Sequence, residues 1–221
     1  VFINRKGKNM KFYLVRHGSQ ISPLCNDNTD LSKNGILEIQ KLGQRLSSYS
    51  IDVIYSSQLK RAIQSAEIIR TQIYQKTGFL LEHYIRNALQ EMDFGELTGL
   101  EDKTISEHYK EFMEKRYTLP GDWAYPNGES KQEVFTRFFP IIQEAIKKYP
   151  HKNVVFVTHG WAIRSVLERL FFQGQNVGIY LGKNFKRGSL TEIDYEEETH
   201  RFFLQRFNDY AHLESHFISE C

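Results

Sequence analysis

Leu14-Val15-Arg16-His17-Gly18 is the stretch from which the rest of the chain can be read. Phe12-Tyr13-Leu14-Val15 is an unbroken apolar run, the pattern of a short buried strand. It stops abruptly in an arginine, a histidine and a glycine. Ligands of open α/β sheets bind beyond the carboxyl ends of the strands, so Arg16 and His17 stand where chemistry is expected. Gly18 lets the backbone turn sharply and lets a ligand approach closely. The chain repeats the device once: Val154-Val155-Phe156-Val157-Thr158-His159-Gly160 is a second apolar strand ending in His-Gly. The two imidazoles face one pocket if the two strands are neighbours.

Composition narrows the class. At 221 residues the chain fits one domain with a sizeable core. The net charge of +2 implies neither nucleic acid nor an anionic membrane as a partner. Two cysteines, Cys25 and Cys221, make no disulfide framework or metal spacing, and they suit a reducing, cytoplasmic compartment. No apolar run is long enough to span a bilayer. Residues 1–9 are basic and lack the apolar centre of a signal peptide. With Met10 looking like a natural start, they read as an added or upstream extension, and 10–221 as a single domain. There are no internal repeats.

Several segments follow in order. Ser32 is a candidate N-cap for an amphipathic helix over 33–48, with Ile36, Ile39, Gly43 and Leu46 as its core stripe. Ile51 to Tyr55 reads as a strand. Ala62, Ala66, Ile69 and Ile73 define the next helix, with Arg61 in its first turn. Residues 79–85 are a third candidate strand. A helix over about 101–116 and loops at Pro120-Gly121 and Pro126-Asn127-Gly128 follow. This aromatic, polar excursion, 92–128, is read as a cap. Val134, Phe138, Ile142 and Ala145 keep helical spacing after Ser130, and Pro140 should kink or divide that helix. Ile163, Val166, Leu167 and Leu170 mark a helix after the second His-Gly. Ser189–Tyr195 and Arg201–Phe207 alternate as strands.

Four separated motifs, in order, make the chain resemble the histidine phosphatase superfamily, in its phosphoglycerate-mutase-like branch and of the small phosphatase type. They are Arg16-His17-Gly18, Leu59-x-Arg61-Ala62, Leu89-x-Glu91 with Phe94-Gly95, and His159-Gly160. Asn208-x-x-x-His212-Leu213 is similar to the ending of small phosphatases of this family. The resemblance covers nearly the whole chain from Met10. It implies a three-layer α/β/α sandwich with a largely parallel central sheet. Some positions depart from the family pattern. Pro23 stands where an asparagine usually helps hold phosphate, with Asn26 and Asn28 as substitutes. Ser65 replaces the usual threonine, and Leu97-Thr98 the usual Trp-Glu pair. Trp161 occupies a position often held by a small residue.

The resemblance also implies an enzyme and its site. His17 would be the nucleophile, forming a phosphohistidine with a small-molecule phosphate ester. Arg16 and Arg61 would bind the phosphoryl oxygens through their planar forks. His159 would donate a hydrogen bond, and Gly18, Gly160 and Trp161 would line the substrate pocket. Glu91 holds the position of the proton donor. Read without the resemblance, Glu91, Asp93 and Glu96 are three surface carboxylates that nothing separates. No cofactor or metal is implied, because the arginines supply the positive charge. His83, His108, His151, His200, His212 and His216 show no ligand spacing and read mostly as surface residues.

A phosphomonoester hydrolase is the leading expectation. A cofactor-dependent phosphoglycerate mutase, or a non-catalytic phosphate-binding module on the same fold, are the alternatives. The compact span from Glu91 to His159 and the Asn-x-x-x-His-Leu ending favour the hydrolase. Oligomeric state is left open.

Overall fold

A computed structural model describes residues 9–115, 122–172 and 185–213. Residues 1–8 of the basic extension, Tyr117, the turn at 120–121, His216 and Cys221 lie outside the described residues. The described elements are β1 (Met10–Arg16), α1 (Lys33–Leu46), β2 (Val53–Ser56), α2 (Lys60–Thr77), β3 (Glu82–Ile85), α3 (Asp102–His108), α4 (Lys110–Lys115), α5 (Lys131–Lys148), β4 (Asn153–Thr158), α6 (Gly160–Phe172), β5 (Leu190–Glu196) and β6 (Arg201–Asp209).

The sheet order is β3-β2-β4-β1-β5-β6. β1, β4, β2 and β3 run parallel, and β5 and β6 continue the sheet as an antiparallel hairpin. Successive side chains of a strand point to opposite faces, and here each face has its own core. Phe12 and Leu14 of β1 pack with Phe138, Ala162 and Val166 from α5 and α6. Tyr13 and Val15 pack with Ile39, Leu42, Ile69 and Ile73 from α1 and α2. Helices on both faces explain why the strands read as continuous apolar runs rather than as alternations. The result is the three-layer α/β/α architecture expected, with a mostly parallel sheet.

Local details differ from the sequence reading at a few places. Ser32 does cap α1, its hydroxyl accepting the Gly35 N–H at 3.1 Å. The buried stripe of α1, however, is Gly35, Glu38, Ile39, Leu42, Gly43 and Leu46, and Ile36 is exposed. Glu38 is buried because Ser19 donates to it twice, from its backbone N–H at 2.7 Å and its hydroxyl at 2.8 Å. α5 runs unbroken through Pro140. The proline is on the solvent side, where water can satisfy the carbonyl that its missing N–H leaves unbonded. The helix expected over 101–116 is two short helices broken at Tyr109, whose hydroxyl donates to Glu96. β3 is shorter than expected, and Phe79 and Leu80 before it are exposed.

The first turn after β1 is set by a close backbone approach. A Cβ on Gly18 would lie 2.5 Å from the Gly35 carbonyl oxygen, and one on Gly35 would collide with the Ser19 carbonyl. Gly18 therefore makes room for the start of α1 rather than for a ligand. Gly35→Ala should accordingly destabilise the fold by about 1–3 kcal/mol, read as a shift of the urea midpoint. At Gly99, where a Cβ meets open space, the strain comes from the positive φ alone and alanine should cost less.

Candidate active site

β1 and β4 are adjacent and parallel, with Arg16 opposite Thr158 in register. The His17 N–H donates to the Thr158 carbonyl at 3.0 Å, which continues the ladder one residue past the strand. His17 and His159 thus leave the sheet side by side, and their ring centroids lie 4.9 Å apart. The crevice lies where the chain has skipped a strand position and later filled it with β4, as ligand sites of open α/β sheets do.

The tautomer of His17 is fixed by its two partners. Nδ1–H donates to the Gly18 carbonyl at 2.7 Å, and Nε2 accepts from Arg61 Nε at 3.1 Å. The ring nitrogen that bears the lone pair therefore faces the arginine. Burial, the neighbouring His159 and the Arg61 and Arg16 charges hold the His17 pKa well below its ordinary value. His159 is fully buried, and burial followed by Arg61, Arg16 and Arg137 depresses its pKa in the same way. Neither ring nitrogen of His159 has a hydrogen-bond partner among the described residues. A buried polar side chain without a partner is costly, and this one is beside the His17 ring.

Arg61 is 2% exposed, and each of its three nitrogens makes one hydrogen bond, which leaves two of its five N–H donors for a ligand. Besides His17, it donates to the Asp27 carbonyl at 2.6 Å and to Asn26 Oδ1 at 3.0 Å. Asn26 also donates to the Met92 carbonyl at 3.3 Å, so it ties the Arg61 side of the pocket to the loop after Glu91. Asn28 Oδ1 instead accepts the Lys60 N–H at the start of α2. Of the two asparagines considered as substitutes for Pro23, it is thus Asn26 that reaches the site. Ser65 accepts the Gly18 N–H at 3.2 Å.

Arg16 donates through Nη1 to the Phe185 carbonyl. The Gly188 N–H donates to the carbonyls of Arg16 and His17 at 3.1 and 3.2 Å. The loop at 185–189 is held in turn by the chain's last motif. Asn208 Oδ1 accepts the Lys186 N–H at 2.8 Å, and His212 Nε2 is 3.0 Å from the Gly188 carbonyl. Burial and the Arg45 charge pull His212 down to about 4, so it is a neutral imidazole that donates through Nε2. His212 and His83 are therefore packed, hydrogen-bonded residues and not surface ones; His83 bridges Glu67 and Ser56. Among the described residues, no group of three histidine, cysteine or acidic side chains is placed to hold a metal ion.

Glu91 is 8% exposed and is separated from its acidic neighbours by what it touches. Its carboxylate accepts the Met92 N–H at 2.9 Å, the Ala162 N–H at 3.0 Å and the Trp161 N–H at 3.4 Å. The last two are free donors of the first turn of α6, which also carry the positive end of its dipole. Asp93 caps the Gly95 N–H, and Glu96 accepts from Tyr109 and Asn127 outside the pocket. Gly160 lies against the Arg16 guanidinium, and a Cβ added there would be in ordinary contact with it, 3.4 Å from Nε. The indole of Trp161 packs edge-on against Trp123 and Tyr125, at 5.9 and 6.2 Å, with the Arg164 guanidinium 5.2 Å over its ring.

The structure thus brings Arg16, His17, Arg61, Glu91 and His159 together at the carboxyl ends of β1 and β4, with Gly160 and Trp161 beside them, while Gly18 serves the packing of α1 instead. Arg137 and Glu129, which hold the Glu91 loop from behind, were not found from the sequence. One arginine on an amphipathic helix carries no signal of its own.

The family model described as histidine phosphatase superfamily (branch 1) matches residues 12–210. A phosphatase of Bacillus subtilis named PhoE is 29% identical over 207 residues, spanning 90% of this chain and 95% of its own. A 2,3-bisphosphoglycerate-dependent phosphoglycerate mutase of Cytophaga hutchinsonii is 30% identical over 164 residues, spanning 71% and 75%. Among solved structures, Bacillus stearothermophilus YhfR superposes with a TM-score of 0.79 at 23% identity, covering 93% of this chain and 100% of the other.

The two neutral imidazoles have a thermodynamic signature. In the unfolded chain each takes up a proton near pH 6.5, whereas in the fold each is held well below that value. Below about pH 6.5 the unfolded state therefore binds more protons than the native state. Stability should fall with pH there, by about 1.4 kcal/mol per pH unit for each histidine. His159→Asn removes one share. The wild type should lose stability faster than the variant when urea midpoints are compared between about pH 7 and pH 5.5.

Proposed function

The chain belongs to the histidine phosphatase superfamily, and from that membership and the geometry of its pocket we propose that it hydrolyses phosphomonoesters of small metabolites through a phosphohistidine on His17. One observation carries the reading. His17 Nδ1–H is tied to the Gly18 carbonyl while Nε2 points its lone pair toward Arg61 inside the pocket. Such a nitrogen attacks phosphorus without first losing a proton. The N–P bond forms as the P–O bond to the alcohol breaks, and Glu91 gives the departing oxygen its proton. In the second step Glu91 takes a proton from water as that water attacks phosphorus and the N–P bond breaks.

Arg16 and Arg61 bind the phosphoryl oxygens, and their charge opposes the negative charge of the transferring group. His159, buried and with no partner for its ring nitrogens among the described residues, donates to a phosphoryl oxygen. The two guanidinium groups supply the charge that a metal would otherwise bring, so the reaction is read as metal-independent. A cytoplasmic setting suits Cys25, whose thiol burial pushes up to about 11. Phosphoglycerate mutase is the second reading, favoured by the match to mutases. It uses the same phosphohistidine but must keep water out, and the short span between Glu91 and His159 favours the hydrolase.

Residues 10–221 are read as a single domain, with 92–128 as a cap over the pocket. The aromatic cluster supports this. Phe94 meets Tyr125 edge-on at 4.8 Å, Phe112 meets Trp123 at 5.7 Å, and Trp123 and Tyr125 abut Trp161. Trp161 starts the helix whose first N–H groups hold Glu91. An apolar wall here selects substrates with a ring or another bulky apolar part over small polar ones such as phosphoglycerate.

Two measurements test the reading. His17→Ala should abolish turnover and acid-labile phosphoenzyme in a rapid-quench experiment with labelled substrate, and the wild-type signal should persist in excess chelator. A wild-type level of phosphoenzyme in the variant would move the nucleophile elsewhere. Trp161→Ala should change the ranking of a substrate panel by kcat/KM, with ring-bearing phosphates losing about tenfold relative to phosphoglycerate. A uniform loss that tracks the folded fraction would remove Trp161 from specificity.

A further inference from the structure

The segment that carries Glu91 has four consecutive backbone carbonyls to satisfy, and side chains satisfy all four. Arg137 Nη1 donates to the Ala88 carbonyl at 2.7 Å and to that of Gln90 at 2.9 Å, and Nη2 donates to that of Glu91 at 3.0 Å. Thr158, immediately before His159, donates its hydroxyl to the Leu89 carbonyl at 2.6 Å. The other edge of the Arg137 fork grips Glu129, with Nε and Nη2 each 2.8 Å from a carboxylate oxygen.

Glu129 is itself fixed. One of its oxygens accepts the Asp93 N–H at 2.9 Å, and its own N–H donates to the Asp93 carbonyl at 2.9 Å. Burial alone would push its carboxyl pKa up, but the bonds from Arg137 and Asp93 outweigh that and hold it below the usual range. Ser130 next to it closes a capping box with Glu133, which sets the start of α5 and hence the direction from which Arg137 reaches the loop. A guanidinium offers five donors in a rigid fork, and here that fork spans three carbonyls and a carboxylate. A lysine would keep the charge and lose the geometry.

We propose that Arg137, anchored by Glu129, is a positioning residue that holds Glu91 in the place from which it transfers its proton. The inference rests on the reading of Glu91 as the proton donor. It adds that the donor's position depends on α5 as well as on the N–H groups of Met92 and α6 that hold its carboxylate. Arg137 touches neither substrate nor the reacting atoms in this account, and Arg137→Lys keeps the positive charge that bears on His159, so the effect of that substitution should pass through Glu91.

The test is single-turnover formation of phosphoenzyme from two substrates, an alkyl phosphate whose leaving oxygen needs a proton and a nitrophenyl phosphate whose leaving group does not. Rates are taken per active site from the burst amplitude, so unfolded protein does not count. Glu91→Gln is measured first and should slow the alkyl substrate far more than the aryl one. Arg137→Lys should then slow the alkyl substrate by about 10- to 100-fold, the scale of a misplacement of about 1 Å, and the aryl substrate by about threefold or less. In the Glu91→Gln background the same substitution should add almost nothing.

Glu129→Gln, which keeps the shape and removes the charge that anchors the fork, should show the same pattern more weakly. It carries the test if Arg137→Lys does not fold. Equal slowing of both substrates by these variants, or an undiminished effect in the Glu91→Gln background, would overturn the positioning role while leaving Glu91 as the acid. Equal slowing by Glu91→Gln itself would remove the acid reading and the positioning role together.

Discussion

The parallel pairing of β1 with β4 is the constraint on which the pocket depends. Its register sets Arg16 against Thr158, and one further ladder bond places His17 beside His159. A slip of one residue would turn one imidazole to the opposite face of the sheet. Such a slip is strongly disfavoured, because it would also exchange the two cores: Phe12, Leu14, Val154 and Phe156 belong to one and Tyr13, Val15, Val155 and Val157 to the other. Hydrophobic packing on two faces thus determines the distance between two polar rings that take no part in it.

Around that pair, the site is assembled by satisfying backbone groups with charged side chains. Arg61 takes the Asp27 carbonyl, Arg16 that of Phe185, and Arg137 those of Ala88, Gln90 and Glu91. Glu91 and Glu38 do the converse, accepting N–H groups at the start of α6 and from Ser19. Each loop that carries a site residue is bonded to an element distant in sequence. The loops keep a defined shape without regular structure of their own, and the cost of burying charge is offset by bonds that the backbone needs in any case.

This arrangement explains what the sequence disclosed. Strands ending in His-Gly and the Ser32 cap are local signals and were legible, whereas Arg61, alone no more than an arginine in the first turn of a helix, was singled out by the family resemblance. Glu91 was separable from Asp93 and Glu96 only through the family resemblance, since the distinction lies in the N–H groups of Trp161 and Ala162, about seventy positions away. Ile36 was read as core and Glu38 was not singled out, because apolarity was used as a proxy for burial, and a carboxylate with two donors from Ser19 is an exception to it. The unbroken α5 shows the same limit. A proline's effect depends on which side of the helix it faces, and that is known only once the helix is docked.

The central place of β1 also has a consequence for how the chain comes into being. β1 is the first described strand, and its two neighbours are β4 and β5, made only once the chain has reached Thr158 and Glu196. During synthesis, at about 5–20 residues per second, this largely apolar strand waits for many seconds with both edges open. An open apolar edge is a template for pairing with another chain. The nascent protein is therefore most vulnerable to aggregation before the ribosome has passed β5, and the feature that unites the finished site is also what delays its completion.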